Sequence, residues 1–270
     1  MRVLFIGDIV GRPGRTAVRR ILPELRERFH PDVVVANAEN AAGGFGLTRK
    51  IADELAGLGV HVLTTGNHVW DKRDALNLMD EPFVLRPANY APGVPGKGIC
   101  RFRLRDGRPL WVINLQGKIL MPPVDCPFRA ADHLLDEIPE EERCVLVDMH
   151  AEATSEKRAM GHYLDGRVSV VVGTHTHVPT ADDEILPQGT AYLTDAGMTG
   201  PYDSVIGMVV EDSLERMLTG MPRILNVAKR GVALGGCHAD VDDATGRCTA
   251  FERFLLKAGD EVVSDNEGDP

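Results

Sequence analysis

Asp8, Glu39, Asn40, Asn67, His150, His175 and His177 are carboxylates, amides and imidazoles, side chains that hold transition metals through oxygen and nitrogen. Each of them closely follows an apolar run. Val3–Ile6 leads to Gly7-Asp8, Val33–Ala36 to Asn37-Ala38-Glu39-Asn40, and His61–Thr65 to Gly66-Asn67-His68. Cys144–Met149 leads to His150, and Val168–Val172 to Gly173-Thr174-His175-Thr176-His177. Taken singly, a loop cap explains Asp8, an ordinary turn explains Glu39-Asn40, and a packed core histidine explains His150. The last motif is more pointed, because alternate residues of an extended segment face the same way and would present His175 and His177 together. The donors include no thiolate, which fits iron, manganese or zinc rather than a soft site. They are too many for one ion with open positions. Two ions about 3.5–4 Å apart, sharing one carboxylate, would use them well and would activate water against a phosphate ester.

The elements that must position these residues alternate between short aliphatic runs and amphipathic stretches. The runs are near-continuous rather than alternating, as in strands covered on both faces. Leu110–Leu115 reads as a further strand. Arg15–Phe29 gathers Val18, Ile21, Leu22, Leu25 and Phe29 on one side, with Pro23 expected to kink or break it. Thr48–Leu58 opens on a capping threonine, Phe128–Ile138 carries a helical stripe, and Ser155–Leu164 is a weaker helix. Arg86–Gly98 reads as a long surface loop. The alternation predicts an α/β fold, with the donors meeting where strand carboxyl ends converge. The absence of a linker predicts one domain over 1–270, with 261–270 a frayed acidic tail.

Composition narrows the chemistry. A formal net charge of -10 opposes a stable polynucleotide partner and an anionic membrane surface, while a small phosphate ester could still bind where local positive charge overrides the global field. Aromatics make up only 5%, too few for broad base-stacking platforms. The 5 cysteines are odd in number and show no paired motif, which predicts reduced thiols in the cytoplasm. No signal peptide and no membrane-length apolar run is read. Oligomeric state is not legible, and a homo-oligomer stays open.

In order and spacing the five blocks resemble those of the calcineurin-like metallophosphoesterases. The departures are informative: Val10 stands where that superfamily has a first histidine, Glu39 where it has the bridging aspartate, and Val69 where it has an acid after Asn-His. With Gly11-Arg12-Pro13-Gly14-Arg15 and Asp195-Ala196-Gly197-Met198-Thr199-Gly200, they resemble the YmdB-type branch over nearly the whole chain. The resemblance implies a four-layer α/β/β/α sandwich, a di-iron centre, and hydrolysis of 2′,3′-cyclic nucleotides to 3′-nucleotides. On that basis Asp8 and His177 are expected on the first ion, and Asn40, Asn67, His150 and His175 on the second. Glu39 would bridge them, a hydroxide held between the ions would attack phosphorus, and His68 would be the general acid. Two other readings compete: a broad phosphomonoesterase or protein phosphatase, and a metal-dependent nucleotide sensor with little turnover.

Overall fold

The computed structural model describes residues 1–258, so the tail expected at 261–270 lies outside the described residues. The strands are β1 (Arg2–Ile6), β2 (Asp8–Ile9), β3 (Val33–Asn37), β4 (Val62–Thr64), β5 (Ile99–Arg103), β6 (Pro109–Gln116) and β7 (Val145–His150). They continue with β8 (Val170–Thr174), β9 (Glu184–Ile185), β10 (Ala191–Leu193), β11 (Met198–Pro201), β12 (Val232–Val241) and β13 (Cys248–Lys257). The helices are α1 (Gly11–Phe29), α2 (Arg49–Gly57), α3 (Ala75–Leu78), α4 (Pro127–Asp136), α5 (Thr154–Leu164) and α6 (Val210–Thr219).

Two sheets form. One has 7 strands in the order β2-β11-β12-β1-β3-β4, with β13 against β12; the other has 6, in the order β5-β6-β7-β8-β10-β9. Strand β1 runs parallel to β3, and β3 parallel to β4. In the other sheet β6, β7 and β8 are parallel.

The pleat of β1 explains the layering. Leu4 and Ile6 face helices α1 and α2, packing with Leu22, Leu25 and Leu55. Val3 and Phe5 face the other way, into a core shared with Leu146 and Val172 of the second sheet. The outer face of that second sheet, with Val147 and Met149, is covered by Ala131 of α4 and by Met160 and Leu164 of α5. Three cores separate four layers, α/β/β/α.

Helix α1 departs from expectation in two ways. It begins at Gly11 instead of Arg15, and Pro23 lies inside an unbroken helix. A mid-helix proline costs about 3 kcal/mol. Val18, Ile21, Leu22, Leu25 and Phe29 are buried on both sides of it, each worth about 1.5–3 kcal/mol, so packing wins. Arg15 is buried and donates to the Ala41 carbonyl at 2.6 Å. Helix α2 has the expected cap, with Thr48 Oγ1 accepting from the Ile51 N–H at 3.4 Å.

Candidate metal centre

Strands β1, β3 and β4 of one sheet and β7 and β8 of the other deliver their carboxyl ends to one place. Asp8 follows β1, Glu39 and Asn40 follow β3, Asn67 follows β4, His150 closes β7, and His175 follows β8.

Donor atoms crowd around one imidazole nitrogen. His150 Nε2 lies 3.2 Å from Glu39 Oε1, 3.0 Å from Asn67 Oδ1 and 3.1 Å from His175 Nδ1. Donors bound to one metal at about 2.1 Å and at right angles stand about 3 Å apart, so this spacing fits a shared cation. Gly66 makes the crowding feasible. A Cβ there would stand 2.2 Å from His150 Nε2 and 2.4 Å from Glu39 Oε2.

A second set adjoins the first through Glu39. The Asn40 amide nitrogen lies 3.1 Å from Glu39 Oε1 and 3.0 Å from His177 Nε2. The resemblance implies Asn40 on the ion of His150 and His175; in the structure its amide nitrogen sits between Glu39 and His177. Asp8 Oδ2 accepts from the His175 N–H at 3.1 Å, and Asp8 Oδ1 is 3.9 Å from His150 Nδ1. Asp8 Oδ1 and Asn40 Oδ1 are buried without hydrogen-bond partners. Oxygens in that state are costly unless a ligand takes them.

His175 and His177 reach the centre differently from the extended segment expected. Strand β8 ends at Thr174, and the two histidines adopt φ of 98° and 66°. The chain bends sharply at both, a conformation that side chains bearing a Cβ rarely adopt.

The electrostatics favour positive charge. Burial would lower the His150 pKa, but Glu39 and Asp8 outweigh it and push His150 up to about 9. Burial would raise Glu39, and His150 instead brings it down to about 2. Burial raises Asp8 to about 6, opposed by His177 and His150. Burial, reinforced by the His150 charge, drives His175 down to about 3 and leaves it a neutral donor. A proton on His150 and a cation beside it answer the same demand.

Groups that the sequence reading missed hold this set in place. Thr174 Oγ1 donates to Asp148 Oδ1 at 2.7 Å and is 2.9 Å from His150 Nδ1. The hydroxyl proton goes to the carboxylate, so Thr174 accepts from Nδ1–H and His150 presents Nε2 to the cluster. Asp148 also takes Thr64 Oγ1 at 2.5 Å and Asn37 Nδ2 at 3.0 Å. His177 Nδ1 donates to the Ile206 carbonyl at 2.8 Å, which likewise leaves Nε2 inward. His68 stands beside the cluster: its N–H donates to Glu39 Oε2 at 3.2 Å, and its Nδ1 is 2.7 Å from Asp71 Oδ2. Asp71 and Asp148 are single acids in ordinary contexts, and no spacing marks them in the sequence.

The family model described as YmdB-like protein matches residues 4–254. The chain belongs to the YmdB-like family. It is 49% identical over 257 residues to the 2′,3′-cyclic-nucleotide 2′-phosphodiesterase of Bacillus subtilis strain 168, covering 95% of this chain and 97% of that one. A solved structure of a hypothetical protein from Thermus thermophilus superposes with TM-score 0.89 at 47% identity, covering 95% and 99% of the two chains. The structure of a novel phosphatase from Mycoplasma pneumoniae gives TM-score 0.89 at 34% identity, covering 95% and 93%.

Proposed function

We propose that this member of the YmdB-like family is a dinuclear-metal phosphodiesterase that hydrolyses 2′,3′-cyclic nucleotides to 3′-nucleotides, the activity named for its Bacillus subtilis relative. The observation that carries the reading is the gathering of Glu39, Asn67 and His175 donor atoms around His150 Nε2 within 3.2 Å. Asp8, Asn40 and His177 would hold one ion; Asn67, His150 and His175 would hold the other. Glu39 stands between the two groups and would serve both. Iron, manganese and zinc all match this oxygen and nitrogen set. When bound, such ions supply Lewis-acid polarisation of a phosphate ester and a nucleophile from water at neutral pH.

The chain's own residues do the remaining work. Hydrolysis joins a water oxygen to phosphorus, breaks the bond from phosphorus to the 2′-oxygen, and needs a proton on that leaving oxygen. Asp71 occupies His68 Nδ1, so His68 Nε2 is the nitrogen left to deliver the proton. The Asn67 carbonyl oxygen and the strained His175 segment fix donors before substrate arrives, as electrostatic catalysis requires. The cysteines of the described residues are all free, which fits a reducing compartment, and we place the protein in the cytoplasm. Among the described residues no helix is long and apolar enough to cross a membrane.

Elemental analysis together with three substrates tests the proposal. Two metal ions per chain are expected, with turnover of 2′,3′-cyclic AMP and bis-p-nitrophenyl phosphate exceeding that of p-nitrophenyl phosphate. Full activity after thorough chelation overturns the metal reading. Preference for the monoester points to a phosphomonoesterase.

A further inference from the structure

Lys157 and Asp195 form an ion pair of 2.6 Å with both side chains only 1% exposed. Neither belongs to the candidate ligand set, and burying two charges is expensive unless their geometry and remaining bonds are good. The remaining bonds lead toward the centre. Asp195 Oδ2 also accepts the Thr176 N–H at 3.2 Å and the Thr176 hydroxyl at 2.7 Å. Its other oxygen accepts the Gly197 N–H at 2.8 Å. The Asp195 backbone is tied down as well, its N–H donating to Thr180 Oγ1 at 2.9 Å and its carbonyl accepting the Thr180 N–H at 3.1 Å.

Thr176 is the residue between His175 and His177, whose φ values of 98° and 66° are unfavourable for both. Such backbone persists only where surrounding contacts over-determine it. The contacts here come from three separate elements: Lys157 from α5, Asp195 from the turn after β10, and Thr176 from the turn after β8. Gly173 makes room for the pair. A Cβ at that position would stand 2.8 Å from Lys157 Cδ and 1.7 Å from the Thr194 carbonyl oxygen.

We infer that the Lys157–Asp195 pair is the positioning device of the candidate metal centre, gripping Thr176 so that His175 and His177 are held bent toward the other candidate ligands. The Lys157 ammonium faces the same Asp195 oxygen that accepts both Thr176 groups. This inference rests on the metal reading above, with Lys157 and Asp195 acting through Thr176 rather than touching an ion.

Three variants test it, read by Mn²⁺ affinity in chelator competition, by the visible spectrum of the Co²⁺-loaded protein and by thermal unfolding of the metal-free protein. Thr176→Val removes the hydroxyl but leaves the ion pair and the side-chain shape intact. It is expected to weaken Mn²⁺ binding about 10-fold and to alter the Co²⁺ bands, with metal-free unfolding little changed. Asp195→Asn is expected to weaken binding toward about 100-fold. Thr176→Ser keeps the hydroxyl and is expected to restore both affinity and spectrum. Wild-type affinity and an unchanged Co²⁺ spectrum in Thr176→Val overturn the inference, and Asp195→Asn losing only thermal stability does so too. If Asp195→Asn does not fold, the Val and Ser variants decide. A wild-type protein that binds neither ion sinks the metal reading itself and the inference with it.

Discussion

In the proposed reading His68 would move a proton beside the metals without binding them. Its hydrogen bond to Asp71 and its edge contact with the Phe45 ring, 5.0 Å between centroids, fix the imidazole without recruiting it to the donor cluster. His68→Ala is therefore expected to keep both metals while slowing cleavage of a 2′,3′-cyclic nucleotide by about 10²-fold or more. Bis-p-nitrophenyl phosphate, whose leaving group needs no proton, should be far less affected. Asp71→Asn should show the same substrate dependence more weakly. Equal losses on both substrates would instead mark His68 as structural. Gly66 gives a complementary prediction. Gly66→Ala places a methyl 2.2 Å from His150 Nε2, so it should cost metal content, measured on the purified protein, before it costs fold.

At the level of elements, helix α5 shows how tightly the frame is fitted. Gly161 lies against Tyr192, and a Cβ there would stand 2.3 Å from the ring. Alanine would gain about 1 kcal/mol of helix propensity. Overpacking a filled core costs about 1–3 kcal/mol, so Gly161→Ala should be net destabilising in urea titration, and Gly161→Val more so. The elements around the site were legible because they are buried on both faces. Continuous runs such as Val33–Ala36 leave little choice of structure. Strands β12 and β13 were not read. The first carries Gly235-Gly236 inside VALGGCHADV, and the second mixes exposed Glu252 and Arg253 with buried Phe254. Both are held by their pairing with each other and, for β12, with β1, a partnership remote in sequence. The candidate donors were legible for the same reason that their strands were: polar groups stand where aliphatic runs stop. Their grouping was not, because whether Asn40 turns toward His177 or His150 depends on a bend that no periodicity encodes.

For the whole molecule, the proposed ions bridge the two sheets, since Glu39 and Asn67 belong to one and His150 and His175 to the other. An ion at a free concentration of about 100 times its Kd adds about 2.7 kcal/mol to folding stability. For a chain of this size, chelation should then lower Tm by about 5 to 10 °C per such ion, recovered on adding metal back. An unchanged Tm would show that the cluster binds metal weakly or not at all. The layer between the sheets acquires a further meaning from this arrangement. Val3, Phe5 and Val33 on one side meet Leu146 and Val172 on the other, so these hydrocarbon groups act as a shim. Their combined thickness sets how far apart the two walls of donors stand. A methylene added or removed in that greasy interior, well away from any reacting atom, would open or pinch the jaws proposed to hold the ions.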